Sequence, residues 1–121
     1  MVKALFDTNI LIDTLRNVDG ARAELRRYDD RAISIVSWIE VMVGAEPQFE
    51  AGTREFLAEF ELVDLDHHIA DEAAKLRRHW RIKLPDAAIW ASARMHDRLL
   101  VTRNTKDFPA DDPGIRHPYV V

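Results

Sequence analysis

Val2-Lys3-Ala4-Leu5-Phe6-Asp7-Thr8-Asn9-Ile10-Leu11 decides the fold of this chain. Its apolar run Ala4, Leu5, Phe6 stops at the polar corner Asp7-Thr8-Asn9. A second run, Ile10, Leu11, Ile12 and Leu15, resumes at helical spacing. That pattern is a buried strand, a corner and a helix, the opening of a βαβ unit. A strand with both faces buried belongs in the middle of a parallel sheet covered by helices. Ligands of open α/β sheets bind beyond the carboxyl ends of the strands, where the winding reverses, and Asp7 stands at such an end. Taken alone, Asp7 and Asn9 are adequately explained as turn residues, or one of them as a helix cap.

Ala32-Ile33-Ser34-Ile35-Val36 reads as the second strand, β-branched and bounded by charge. Ser37-Trp38-Ile39-Glu40 follows at once and spells a capping box, with Ser37 at the N-cap and Glu40 three residues on. Capping accounts for Glu40 by itself, yet either role leaves its carboxylate at a strand's exit. Leu84-Pro85-Asp86 opens another helix, because proline at the first helical position loses no needed amide. Asp86 in the first turn is favoured by the helix dipole. Behind it, Ala87, Ala88, Ala91, Ser92 and Met95 form a stripe suited to close packing on a sheet. Leu99-Leu100-Val101, with Thr102, reads as a further parallel strand. It too runs into a polar corner, Arg103-Asn104-Thr105-Lys106-Asp107-Phe108, in which Asp107 is a candidate turn acid and Phe108 an anchor.

Between these segments the pattern predicts a turn at Asn17–Gly20 and a helix over Ala21–Tyr28. Pro47 ends the helix after the second strand or lies just past it. A helix over Thr53–Phe60 has Thr53 as its candidate cap. A short edge strand follows at Glu61–Leu65, and Asp66 caps a long helix. His117–Val121 is the candidate final edge strand. There is no internal repeat, linker or low-complexity segment, so residues 1–121 form one domain.

Composition bounds the function. A length of 121 residues, 47% apolar and 31% charged, suits a soluble domain with one core. The absence of cysteine excludes disulfides and thiolate metal sites and suits a cytoplasmic address. No signal peptide is expected, and no apolar run approaches the ~20 residues that span a bilayer. The net charge of −4 argues at first against a nucleic-acid partner, but two divalent cations held by clustered acids would offset about four charges. His67 and His68 are adjacent, cannot share a helical face, and read as solvated first-turn residues. The one dense basic stretch, Lys75 to Lys83 with Trp80 inside it, has two readings. It is a solvated helix end, or a phosphate-tracking patch with an aromatic available for stacking.

Each acid has an ordinary explanation, but Asp7, Glu40, Asp86 and Asp107 form a set. In a parallel doubly wound sheet their positions converge on one edge. Like charges so gathered repel and raise one another's pKa values unless a cation sits among them. Oxygen ligands without cysteine or paired histidine suit Mg²⁺ or Mn²⁺, and such clusters serve phosphodiester hydrolysis.

Asp7-Thr8-Asn9-Ile10-Leu11, Ser37-x-x-Glu40-Val41 with Gly44, Pro85-Asp86-Ala87-Ala88-Ile89 and Thr102-Arg103-Asn104-Thr105-Lys106-Asp107-Phe108 together resemble the four motifs of PIN-domain ribonucleases. More narrowly, the chain resembles VapC-type toxins of toxin–antitoxin pairs. The resemblance runs from end to end, in order and at the spacing of a compact member. It implies a three-layer α/β/α sandwich with a short parallel sheet, and Mg²⁺- or Mn²⁺-dependent endonuclease activity on RNA. It also implies a homodimer and a cognate VapB-like antitoxin. By the same resemblance Asp7, Glu40, Asp86 and Asp107 are the metal-binding and catalytic acids, and Thr8, Asn9, Thr102 and Asn104 their supporting polar residues. Some members carry an acid where this chain has Asn104, which implies a weaker second metal site. Arg77, Arg78, Arg81, Arg103 and Lys106 are the candidate RNA-binding residues.

Two other classes fit less well. A phosphoacceptor receiver domain needs a lone Asp after a mid-chain strand and does not place acids at Glu40 and Asp86. A phosphatase with an aspartyl nucleophile wants a second acid two residues after Asp7, where Asn9 stands. The alternative within the fold is a module that binds RNA or a partner without cutting.

Overall fold

The computed structural model describes all 121 residues. Strand β1 (Lys3–Phe6) sits at the centre of a five-stranded sheet, followed in the chain by α1 (Thr8–Leu15) and α2 (Asp19–Arg26). Strand β2 (Asp30–Ser34) leads into α3 (Ile35–Val43), a 3-10 turn at Pro47–Phe49 and α4 (Glu50–Leu57). Strand β3 (Glu61–Val63) is followed by α5 (His67–Trp80) and α6 (Leu84–Met95), then β4 (Leu99–Val101) and β5 (Ile115–Arg116). The order across the sheet is β3-β2-β1-β4-β5, and every pairing is parallel. The chain winds outward from β1 to β3, then crosses back to place β4 on the other side of β1. The winding therefore reverses between β1 and β4. With Phe6 level with Val101, the next residues, Asp7 and Thr102, come side by side at that reversal.

Period-two alternation divides the strands between two cores. Ala4, Phe6, Ile33 and Val101 face the layer built by α1 to α4, against Ile10, Leu11, Leu25, Val41 and Leu57. Leu5, Ala32, Leu100 and Ile115 face the other layer, against Ile69 and Leu76 of α5 and Ile89 and Trp90 of α6. The architecture is thus the expected α/β/α sandwich. Helix α6 is buried without a break from Ala87 to Ala93, because it lies between the sheet and α5. The small-residue stripe permits that approach, although Met95 at its end stays exposed. Phe108 is fully buried and meets Trp90 edge-on at 5.7 Å, anchoring the corner after β4. At the opposite sheet edge, buried Arg98 donates to Ala4 O at 3.2 Å, Asp30 at 2.8 Å and Glu61 at 2.6 Å, tying together the starts of β1, β2 and β3.

Four expectations from the sequence are corrected. The second strand ends at Ser34, not Val36, since Ser34 leaves the sheet in extended conformation and its Oγ accepts from Val36 N at 3.1 Å. Ser34 is therefore the cap of α3, and the capping box assigned to Ser37 and Glu40 does not form. Thr53 is no cap either: it lies inside α4, and its hydroxyl donates to Phe49 O at 2.8 Å. The last strand is Ile115–Arg116, ahead of His117, as Pro118 lacks the amide that a ladder needs. Asp66, by contrast, caps α5 as expected, accepting from Ile69 N at 2.9 Å.

Candidate active site

Asp7 is the buried centre of the site, 4% exposed. Its backbone continues the sheet, donating to Val101 O at 2.9 Å, and its side chain caps α1, with Oδ1 accepting from Thr8 N at 2.7 Å. Oδ2 accepts from the Thr102 hydroxyl at 2.7 Å and from Asn9 Nδ2 at 3.2 Å. The capping role and the site role are thus carried by one carboxylate, whose two oxygens divide the work. Thr8 turns to α3, where its hydroxyl donates to Glu40 Oε1 at 2.6 Å and lies 2.9 Å from Ser37 Oγ. Ser37, the misassigned cap, is buried here as the rear support of Thr8.

Asp86 occupies the third position of α6, behind Leu84 and Pro85. Asp107 is held by Asn104 from two sides: Asn104 Nδ2 donates to Asp107 Oδ2 at 2.9 Å, and Asp107 N donates back to Asn104 Oδ1 at 3.1 Å. Asn104 N in turn donates to Thr102 Oγ at 3.0 Å. All four supporting positions, Thr8, Asn9, Thr102 and Asn104, thereby touch one of the acids.

Electrostatics tie the four acids to one another. Burial pushes the Asp7 carboxyl up from 3.8 to about 6, against the pull of its Thr102 and Thr8 hydrogen bonds, and repulsion from Asp86 and Glu40 adds to the rise. Asp86 is raised by burial first, then by repulsion from Asp107 and Glu40, while Lys83 pulls it down. Two elevated carboxyls, each feeling two other acids, form an excess of negative charge that Lys83 offsets only at Asp86. The donor set is all oxygen, which suits a hard divalent ion. No three Asp, Glu or His side chains already form a closed set around an ion position.

Among the candidate RNA-binding residues, Arg77, Arg78 and Arg81 are exposed at the end of α5, and Lys106 is exposed beside Asp107. Trp80 in the same stretch is 42% exposed and leans on Trp90 at 5.6 Å. Arg103 is different. Its guanidinium pairs with buried Asp13 through Nε at 2.7 Å and Nη2 at 3.3 Å, so its charge is already met within the fold. Sequence reasoning passed over Asp13, although a residue three after Ile10 shares its helical face and an acid there is a buried one. His67 is exposed and lies 3.8 Å from Asp71 alone, in keeping with a solvated first turn. A groove of about 570 Å³ between α1, α3 and α4, with Ile12, Leu15, Val41 and Phe49 in its walls, opens beside Glu40. A second depression, about 450 Å³, lies at the opposite sheet edge around Arg94 and Arg98, and none of the four acids lines it. No helix is long and apolar enough to cross a membrane.

The family model for the PIN domain matches residues 4–110. The chain is similar to ribonuclease VapC10 of Mycobacterium tuberculosis, with 33% identity over 97% of this chain and 93% of that one. It is similar to the tRNA(fMet)-specific endonuclease VapC of Shigella flexneri, with 31% identity over 89% of this chain and 91% of the other. Among solved structures, a chain of a toxin–antitoxin complex from Klebsiella pneumoniae superposes with a TM-score of 0.93 at 44% identity, covering 98% of this chain and 100% of that one. DNA-bound VapBC from Salmonella typhimurium gives a TM-score of 0.79 at 26% identity, with 96% of each chain covered.

Proposed function

Since the chain belongs to the PIN-domain family, among its VapC-type ribonucleases, we propose that it is the toxin of a toxin–antitoxin pair. In this role it hydrolyses RNA phosphodiester bonds with Mg²⁺ or Mn²⁺ held by Asp7, Glu40, Asp86 and Asp107. The observation that carries this reading is the gathering of those carboxylates at one half-buried spot, where burial first and mutual repulsion second raise both Asp7 and Asp86. An arrangement so unfavourable in the bare protein is explained by an ion that relieves it. When bound, such an ion polarises a phosphoryl oxygen and eases deprotonation of the attacking water. The protein's part is to fix the acids. Thr102 and Asn9 orient the inner oxygen of Asp7, Thr8 orients Glu40, and Asn104 orients Asp107. Asp86 sits in the first turn of α6, where the helix dipole favours its ionised form. Arg77, Arg78, Arg81 and Lys106 track the RNA backbone, and Lys83 beside Asp86 joins that basic stretch to the acids.

The partner is an antitoxin. Relatives of this chain were solved as toxin–antitoxin or VapBC assemblies, and the groove beside Glu40 offers apolar walls that lead to exposed carboxylate. An arginine from the partner would pair bidentately with these acids and displace the ion. The same reading includes a homodimer and a cytoplasmic site of action. Expression of the chain alone is expected to arrest growth, co-expression of its neighbouring small antitoxin to restore it, and Asp86→Asn to be harmless. Arrest that persists in Asp86→Asn would place toxicity outside nuclease chemistry and favour a module that binds without cutting.

A further inference from the structure

The segment after β5 touches the site without belonging to it. Tyr119 donates its hydroxyl to Asp13 Oδ2 at 2.8 Å, the oxygen that also takes Arg103 Nε at 2.7 Å. Asp13 is 4% exposed, so losing either donor leaves a buried carboxylate under-satisfied. Burial, then the hydrogen bond to Asp13, raises the Tyr119 hydroxyl above the ordinary tyrosine range, which keeps its proton available for donation. The ring itself rests on Gly20 of α2, where an added Cβ would come 3.0 Å from it. Tyr119 therefore has one seat, between α1 and α2.

Arg103 is the next link. Its side chain is bound to Asp13, and its backbone N–H donates to Asn9 Oδ1 at 3.1 Å. Asn9 and Asp13 lie one turn apart on α1, so a single residue of the corner after β4 is fastened to two successive turns. Asn9 is the residue whose amide reaches Asp7. Asn104, directly after Arg103, holds Asp107, and the same C-terminal segment reaches it again through His117 Nε2, 3.2 Å from Asn104 O. The contacts run unbroken from Tyr119 through Asp13 and Arg103 to the two ends of the acid cluster.

We propose that Tyr119 is a positioning residue for the nuclease site, bracing the Asp13–Arg103 pair so that the corner carrying Asn104 and Asp107 stays in register with Asp7. The proposal rests on the metal-dependent nuclease reading above. It explains why a charged corner residue is turned inward in a chain expected to bind RNA: Arg103 spaces the acids and leaves the phosphate contacts to α5 and Lys106. Tyr119 touches neither substrate nor acid cluster and acts only through Arg103.

Tyr119→Phe removes the hydroxyl and keeps the ring on Gly20. In the metal-free variant, amide exchange at Asn104 and Asp107 is expected to accelerate, while exchange in β1 and α6 stays at the wild-type rate. Mn²⁺ binding by calorimetry is expected to weaken measurably, by less than the ~10-fold that loss of a group bonded directly to a metal ligand costs. The RNA-cleavage kcat falls with it, at unchanged KM. Arg116→Gln is the control, because the Arg116 guanidinium pairs with Glu24 of α2 at 2.6 and 3.0 Å and has no bond to residues 103–107. It removes a side-chain ion pair of the same segment while the backbone bond from Thr102 N to Arg116 O at 3.0 Å stays, and it is expected to leave Mn²⁺ affinity unchanged. The proposal is overturned if Tyr119→Phe matches wild type in exchange and Mn²⁺ affinity, or if Arg116→Gln weakens Mn²⁺ binding as much. Asp7→Asn tests the parent reading separately: Mn²⁺ binding unaffected by it would remove Asp7 as a ligand whatever Tyr119→Phe does.

Discussion

Asp7→Asn in the metal-free protein is expected to reverse its effect on stability with pH. The folded-state pKa of Asp7 lies above the unfolded value, about 6 against 3.8. The native state thus holds this proton more tightly than the unfolded chain does. The resulting stabilisation is complete below the unfolded pKa and is lost as pH rises through about 6. At pH 8 the ionised, buried carboxylate costs about 3 kcal/mol relative to its protonated form, at 1.36 kcal/mol per pKa unit. Asparagine escapes that cost but fits the hydrogen bonds less well. Its Nδ2 would have to share Thr102 Oγ with Asn9 Nδ2 and Asn104 N, and the Thr102 hydroxyl would lose its acceptor. One such mismatch costs about 1.5 kcal/mol. Asp7→Asn should therefore be more stable than wild type by about 1.5 kcal/mol at pH 8, and less stable by about 1 kcal/mol at pH 4, with the curves crossing near pH ~5. In melting temperature the gain at pH 8 is about 6 °C for a domain of this size. Urea unfolding of both proteins in EDTA at the two pH values measures this. An equal loss at both would mean that Asp7 carries no burial cost, and the argument from strained carboxylates would collapse.

Glu40→Gln should keep or slightly raise metal-free stability, since glutamine still accepts from the Thr8 hydroxyl and no longer repels Asp7 and Asp86, while RNA cleavage falls by about a hundredfold or more; retained activity would reduce Glu40 to a partner of Thr8. Ser34→Ala should cost about 1–2 kcal/mol in urea unfolding as the lost cap of α3, and an unchanged unfolding midpoint would contradict the corrected helix start. Replacing Arg77, Arg78 and Arg81 by Gln should flatten the salt dependence of RNA binding by ~0.7 in slope per lost phosphate contact on single strands. A wild-type slope would make this stretch a solvated helix end.

The sheet centre, and Asp7 and Asp86 at the starts of their helices, were legible because each is announced by a local signal. Ala4-Leu5-Phe6 before a polar corner, and Pro85 before Asp86, need nothing from the rest of the chain. The start of α3 was misread because Ser34-Ile35-Val36-Ser37 offers two serines three residues apart. The β-branched pair between them favours a strand, yet β3 pairs with β2 only as far as Ser34, opposite Val63. Beyond that point helix formation satisfies the backbone instead. The buried ion pairs were invisible for another reason. Glu24 is 3% exposed and is met by Tyr28 at 2.8 Å and Arg116 at 2.6 Å, but Arg116 is 92 residues away. No local pattern joins such partners, and the same holds for Asp13 with Arg103 and Tyr119. Tyr119 was placed in a strand that Pro118 prevents. Its seat against Gly20 exists only once α2 is in place.

The central claim is that the four acids cut RNA through a divalent ion. The most direct test is incubation of the purified chain with total cellular RNA, with Mn²⁺, with Mg²⁺ and with EDTA, beside Asp86→Asn, followed by mapping of the cut ends. Discrete cleavage by wild type in either metal, abolished by EDTA and by Asp86→Asn, is the expected result. Cleavage that continues unchanged in EDTA and in Asp86→Asn, or its absence from wild type in both metals, would contradict it.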